Sequence, residues 1–232
     1  MEFLSLQEYN AIFNIGFIIY TGDSIDRYRK GNFAKEIAFV NGLAKSFNVN
    51  SNDTNVGIIT YSGDAIVRYR FGDVSNQTDL EKALNTISIN GSGRNIGNAL
   101  QLARTDLFSR SNPERVEKVR NILVVITDGG SDDDLAVPTS ALKEDNVTIF
   151  SVGIDRYVRG QLNEMASDPD SDHVFTIDFY DDLGHTLPPL KDSIIRGNHR
   201  TCRCMCEFLF NSKRVPSIFL DEMLTKGRKN YL

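Results

Sequence analysis

Four short, almost unbroken apolar runs constrain this chain more than anything else in it: FNIGFIIY (13–20), NVGIITYS (55–62), NILVVITD (121–128) and VTIFSVGI (147–154). Each is bounded by turn residues and is shorter than an ordinary buried helix, so each reads as a strand covered on both faces. Longer amphipathic stretches alternate with them. NFAKEIAFVNGLAKSF (32–47) sets Phe33, Ile37, Val40, Ala44 and Phe47 on one helical face, and NIGNALQLARTDLF (95–108) is a second amphipathic helix. TDLEKALNTI (78–87) opens on Thr78 with Glu81 three residues on, the spacing of a capping box. Further helices are expected near Tyr157 to Ala166 and from about Tyr180 to Ile195.

This order predicts an α/β fold, a doubly wound, mostly parallel six-stranded sheet with helices on both faces. The fifth and sixth strands are AIVRYRF (65–71) and HVFTID (173–178). Gly63-Asp64 joins the run at 55–62 to the run at 65–71 as a tight hairpin, so one of that pair runs antiparallel and lies at a sheet edge. NILVVITD is the most hydrophobic run and is expected at the centre.

With 232 residues, 41% of them hydrophobic, the chain can bury one sizeable core. No run is long and apolar enough for a membrane span, and the start MEFLSLQEYN carries Glu2 and Glu8 where a secretory signal wants Lys or Arg. Either the protein is intracellular or the sequence is a piece of something secreted. From Arg196 onward eight Lys or Arg face three Asp or Glu, so a basic tail follows a body of charge −10 within a net charge of −5. That body excludes nucleic-acid binding through a general positive field.

All three cysteines lie in the tail, as Cys202, Cys204 and Cys206. C-x-C-x-C lacks the two-residue gap of a zinc knuckle, with only His199 nearby as a fourth ligand. A disulfide-linked oligomer in a secreted protein, or unpaired thiols, are the readings left. The segment PSIFLDEMLTKG (216–227) suits one short helix ended by Gly227. Four N-x-S/T triplets occur; Asn52, Asn76 and Asn90 fall in expected loops and are the glycosylation candidates, whereas Asn146 opens a strand.

Parallel crossovers bring three turns to the carboxyl edge of the sheet: TGDSID (21–26), NGSGRNIG (90–97) and DGGSDDD (128–134). In this order, and with VGIITYS, GNAL, LVVITDGGSDDD, FSVGID and MASDPDSDHVFTID, they resemble the von Willebrand factor type A domain, in the flavour of matrix proteins such as matrilins and collagen type VI chains. The resemblance implies a domain over 13–195, an N-terminal extension over 1–12 and a tail over 196–232.

It also implies a metal-ion-dependent adhesion site, built in the family from a D-x-S-x-S turn, a loop threonine and the aspartate of an I-T-D-G turn. Here Tyr20 stands at the first aspartate position, Gly22 at the first serine and Arg94 at the threonine; Ser24 and Asp128 match. The expectation is a degenerate site, with Arg94 pairing with Asp128 and no cofactor; weak Mg²⁺ or Ca²⁺ binding, with Asp23 and Asp132 to Asp134 as rival ligands, is the alternative. The resemblance implies a noncatalytic adhesion module, extracellular, binding collagen or another matrix protein through Asp23, Ser24, Arg94, Asp132 and Asp133. An intracellular scaffold is the competing reading. An enzyme is not expected: GSGRNIG is not G-x-G-x-x-G, and His173, His185 and His199 are not placed to activate Ser24.

Overall fold

A computed structural model describes residues 12–50, 52–109 and 119–197 of the chain. The elements are β1 (Ile12–Tyr20), α1 (Asn32–Lys45), β2 (Thr54–Tyr61), β3 (Ala65–Tyr69), α2 (Gln77–Asn85), α3 (Ile96–Leu102), β4 (Val119–Thr127), α4 (Ala136–Glu144), β5 (Val147–Ile154), α5 (Arg159–Met165), α6 (Asp170–His173) and β6 (Val174–Ile177). A 3-10 turn at Tyr180–Thr186 leads into a helix over 187–197. A first compact unit ends at Lys191 and holds the whole sheet; the described residues of the second, from Asp192, are helical.

The sheet has the order β3-β2-β1-β4-β5-β6, with every neighbouring pair parallel except β2 and β3. The hairpin strand is therefore the antiparallel edge, as its short connection over 62–64 requires. β1 and β4 are the central pair and are buried along most of their length, which explains their unbroken apolar sequences. Successive strand residues face opposite sides, so Phe13 and Gly16 report the two layers. Phe13 meets Phe47, just beyond α1, at 5.3 Å between ring centres. Gly16 faces Leu107 and Phe108, in the π-helical turn Ala103–Phe108 that continues α3. Asn14 bonds Asn121 at 3.1 Å and receives Asn55 at 3.4 Å, a ladder across three strands that satisfies the buried amides of Asn14 and Asn55.

Several local expectations shift. The cap of α2 is Asn76, whose side chain accepts from the Asp79 amide at 3.0 Å, and Thr78 lies inside the helix. On α1 the buried face comprises Asn32, Glu36, Phe39, Val40, Leu43 and Ala44, leaving Phe33 and Ile37 half-buried. The apolar stripe tolerated either phase, and packing on the sheet chose the one that draws Glu36 inward. Helix α4, where Pro138 obscured the pattern, has no counterpart in the sequence reading. The tail cysteines, His199 and the segment 216–227 lie outside the described residues.

Candidate functional site at the carboxyl edge of the sheet

Three loops meet where β1 and β4 end, held by their own backbones. The amide of Asn90 donates to the Thr21 carbonyl at 2.6 Å, that of Asp23 to Gly91 at 2.9 Å, and that of Asp132 to Arg94 at 2.8 Å. The last of these is answered by the Arg94 amide, which donates to the Asp132 carboxylate at 2.8 Å. Asp133 accepts the amides of Gly97 and Asn98, both at 2.8 Å, and so caps α3 from another loop. Asp134 accepts from the Val137 amide at the start of α4. The acidic run 132–134 is thus spent on backbone donors. Among the described residues no group of three or more His, Cys, Asp or Glu is arranged to hold a metal.

At the centre sits a guanidinium. Arg94 Nη2 lies 2.8 Å from both Asp128 Oδ1 and Ser24 Oγ, and Nε donates to the same carboxylate oxygen at 3.1 Å. Asp128 is 2% exposed in its side chain and Arg94 is 22% exposed, so the pair is shielded from water far more than a surface ion pair. The carboxylate keeps the Arg94 pKa up against the cost of burying the cation. The guanidinium also stands 4.8 Å above the Tyr20 ring, a cation–π contact, and packs where a side chain on Gly129 would be.

Tyr20 and Gly22 are complementary. Tyr20 is buried, and its hydroxyl bonds Ser24 Oγ at 2.8 Å. A β-carbon on Gly22 would overlap that hydroxyl and the ring. Gly22 is not in a left-handed conformation, so the ring is what requires a glycine there. Of the residues singled out in the sequence, Ser24, Arg94 and Asp128 therefore come together, with Asp132 bonding the Arg94 backbone. Asp23 is apart from them, exposed and paired with Arg27 at 3.2 Å. Asn52, Asn76 and Asn90 are exposed.

Sequence reasoning overlooked Glu36 and two tyrosines. Glu36 is fully buried and accepts the Tyr20 amide at 3.1 Å; burial, with the nearby Asp128 charge, raises its pKa well above 4.5. Tyr61 donates to the Ile126 carbonyl at 3.1 Å, and burial raises its pKa as it does that of Tyr180. The signal for Glu36 was its phase, four residues before Val40 and three before Phe39 on the buried stripe.

The raised acid has a consequence for stability. The folded state holds the Glu36 proton more tightly than the unfolded chain, so this contribution is complete below pH 4.5 and is lost as pH rises towards the folded value. Glu36→Gln keeps an acceptor for the Tyr20 amide and removes the titration. We expect the wild-type protein to lose up to about 1.4 kcal/mol per pH unit relative to the variant within that window, measured by urea unfolding across pH. Parallel pH profiles would show that Glu36 is not held neutral.

Comparison with known proteins agrees with this fold. Residues 14–188 match the von Willebrand factor type A domain. Vitrin of Mus musculus is 30% identical over 181 residues, 78% of this chain and 27% of vitrin. Cochlin of Bos taurus is 30% identical over 190 residues, 82% and 32% of the respective chains. Matrilin-4 of Mus musculus is 32% identical over 175 residues, 75% and 28%. The chain thus spans about a quarter to a third of the length of these relatives. Among solved structures, proximal thread matrix protein 1 from the mussel byssus aligns with a TM-score of 0.72 at 21% identity, over 78% of this chain and 46% of its own. The same protein has been solved with a zinc-occupied MIDAS motif, at 22% identity, 45% of its own chain and a TM-score of 0.72. With the family matched over most of its length, the chain belongs to the von Willebrand factor type A domain family.

Proposed function

We propose that this chain is a noncatalytic protein-binding module of the matrix-adhesion kind that docks a protein ligand, collagen or another matrix protein, through the loops at the carboxyl edge of its sheet. In this reading the guanidinium of Arg94 stands in for the divalent cation. The observation that carries it is the single nitrogen of Arg94 at 2.8 Å from both Ser24 and Asp128, the two positions that match the adhesion site. A divalent ion about 4 Å from that guanidinium would be repelled by roughly 8 kcal/mol at an effective dielectric near 20, about what the lone carboxylate returns. Tyr20 and Gly22 supply no carboxylate or hydroxyl group of the kind the family's turn uses, and Mg²⁺ sheds its water reluctantly. The residues present do not fit the metal.

The rim supports docking. Tyr28 is 80% and Phe179 63% exposed, with Arg29 and Arg156 beside them, and aromatic and arginine side chains are the groups enriched at the centres of protein interfaces. Asp23, Ser24, Arg94, Asp132 and Asp133 remain the proposed contact residues, the last two through the loop they hold in shape. The kinship with a matrilin and the exposed sequons Asn52, Asn76 and Asn90 support an extracellular setting.

Two measurements test this reading. Titration calorimetry with Mg²⁺, Mn²⁺ and Zn²⁺ is expected to show no site at Ser24 and Asp128; micromolar binding abolished by Asp128→Asn would overturn the metal-free account. Capture of partners from an extracellular-matrix extract is expected to be the same with and without chelator.

A further inference from the structure

Beside the Arg94 cluster, between the β1–α1 segment and the ends of β5 and β6, lies a cavity of ≈ 130 Å³. It is smaller than the roughly 300–1,000 Å³ that small-molecule sites occupy, so it suits one side chain. Asn32 and Tyr180 both line it, and each is more than nine-tenths buried. Asn32 Nδ2 donates to the Ile25 carbonyl at 3.1 Å, while Asn32 Oδ1 accepts from no group of the protein and the Tyr180 hydroxyl, whose proton faces the Asp128 carboxylate, likewise accepts from none. Buried oxygens left in this state cost free energy until a donor reaches them. Asp128 lines the same cavity.

The mouth has a matching character. Phe179 and Tyr28 offer exposed rings, whose faces attract cations and cover alkyl stems. The two arginines there are compensated: Arg29 pairs with Asp181 at 2.7 Å, and Arg156 pairs with Asp155 at 3.4 Å while stacking on Tyr28. Asp178, also at the mouth and exposed, has no ion-pair partner among the described residues.

From acceptor oxygens inside, aromatic faces at the entrance and an uncompensated carboxylate beside them, we infer that this cavity receives a primary ammonium group, the lysine side chain of the protein that docks on this edge. An ammonium carries three donors and no acceptor, which is what the orphaned oxygens need. The source of the ammonium rests on the docking function proposed above; the chemistry of the cavity does not.

The test is an NMR titration of the full chain with Nα-acetyl-lysine methylamide as the probe, which needs no natural partner and so can succeed or fail independently of the capture assay. Saturable shifts of the Asn32 side-chain amide and the Tyr180 and Phe179 rings are expected, and none from the Nε-acetylated probe. Asp178→Asn, an exposed change that leaves the fold intact, should weaken binding by about two- to fivefold. Absence of saturable shifts, or equal shifts from the acetylated probe, overturns the assignment. Binding of n-butylammonium is expected too, since it is the lysine side chain without its backbone; tighter binding of the corresponding arginine probe would overturn the choice of ammonium.

Discussion

Replacing Arg94 with alanine is expected to destabilise the domain by about 3 kcal/mol, a fall in Tm of about 6–12 °C for a domain of this size. The cost comes less from the contacts removed than from what they leave behind. Asp128 is 2% exposed, and Arg94 is its ion-pair partner, so the truncation strands a carboxylate beside the sheet. The low end of the range for a broken buried pair applies because Arg94 itself is 22% exposed and water can enter its place. Arg94→Lys should recover only part of the loss, since one ammonium cannot reproduce two donors fixed in a plane over the Tyr20 ring. Asp128→Asn combined with Arg94→Ala should be less damaging than Arg94→Ala alone, because the stranded charge is gone. Thermal unfolding followed by circular dichroism measures all three, and an unchanged Tm for Arg94→Ala would show that the ion pair carries no weight in the fold.

Gly22→Ser is expected to be the other severe change, losing about 2–3 kcal/mol in the wild-type background and adding almost nothing to the effect of Tyr20→Asp in that variant's background. The added β-carbon collides with a buried ring that has nowhere to go, an overpacking penalty. With the ring removed the collision disappears, so the two substitutions must be strongly non-additive. Adding Arg94→Thr to that pair restores the family's side chains at the first aspartate, first serine and loop threonine positions beside Ser24 and Asp128. The triple variant should bind Mg²⁺ or Mn²⁺ with a heat that calorimetry detects, where the wild type gives none. Gly22→Ser tolerated by itself would contradict the steric account. A folded triple variant with no metal affinity would show that more than three side chains separate this site from a working one.

Much of the fold was legible from single residues because burial on both faces leaves its mark locally. FNIGFIIY announces a buried strand and NILVVITD the central one, and Gly63-Asp64 announces the antiparallel edge, since so short a link joins neighbouring strands only as a hairpin. The weaker patterns were those with two acceptable solutions. The α1 stripe allowed Phe33 and Ile37 or Asn32 and Glu36 to face inward, and only contact with the sheet broke the tie. α2 offered both Asn76 and Thr78 as caps, and the backbone begins its turn at the first.

At the site, the sequence by itself determined that three polar turns converge, because the alternation of strands and helices is encoded along the chain, and its resemblance to the family marked Ser24, Arg94 and Asp128 as the expected adhesion-site positions. What only the tertiary structure decided is how they use one another: Tyr20 filling the volume that Gly22 leaves, Glu36 held under the Tyr20 amide, Asp132 and Asp133 turned onto backbone donors, and Asn32 and Tyr180 set around one cavity. These relations join residues tens of positions apart. Periodicity reports which face of an element is apolar, whereas steric fit and hydrogen-bond satisfaction are properties of groups in space, and they exist only once the elements have packed.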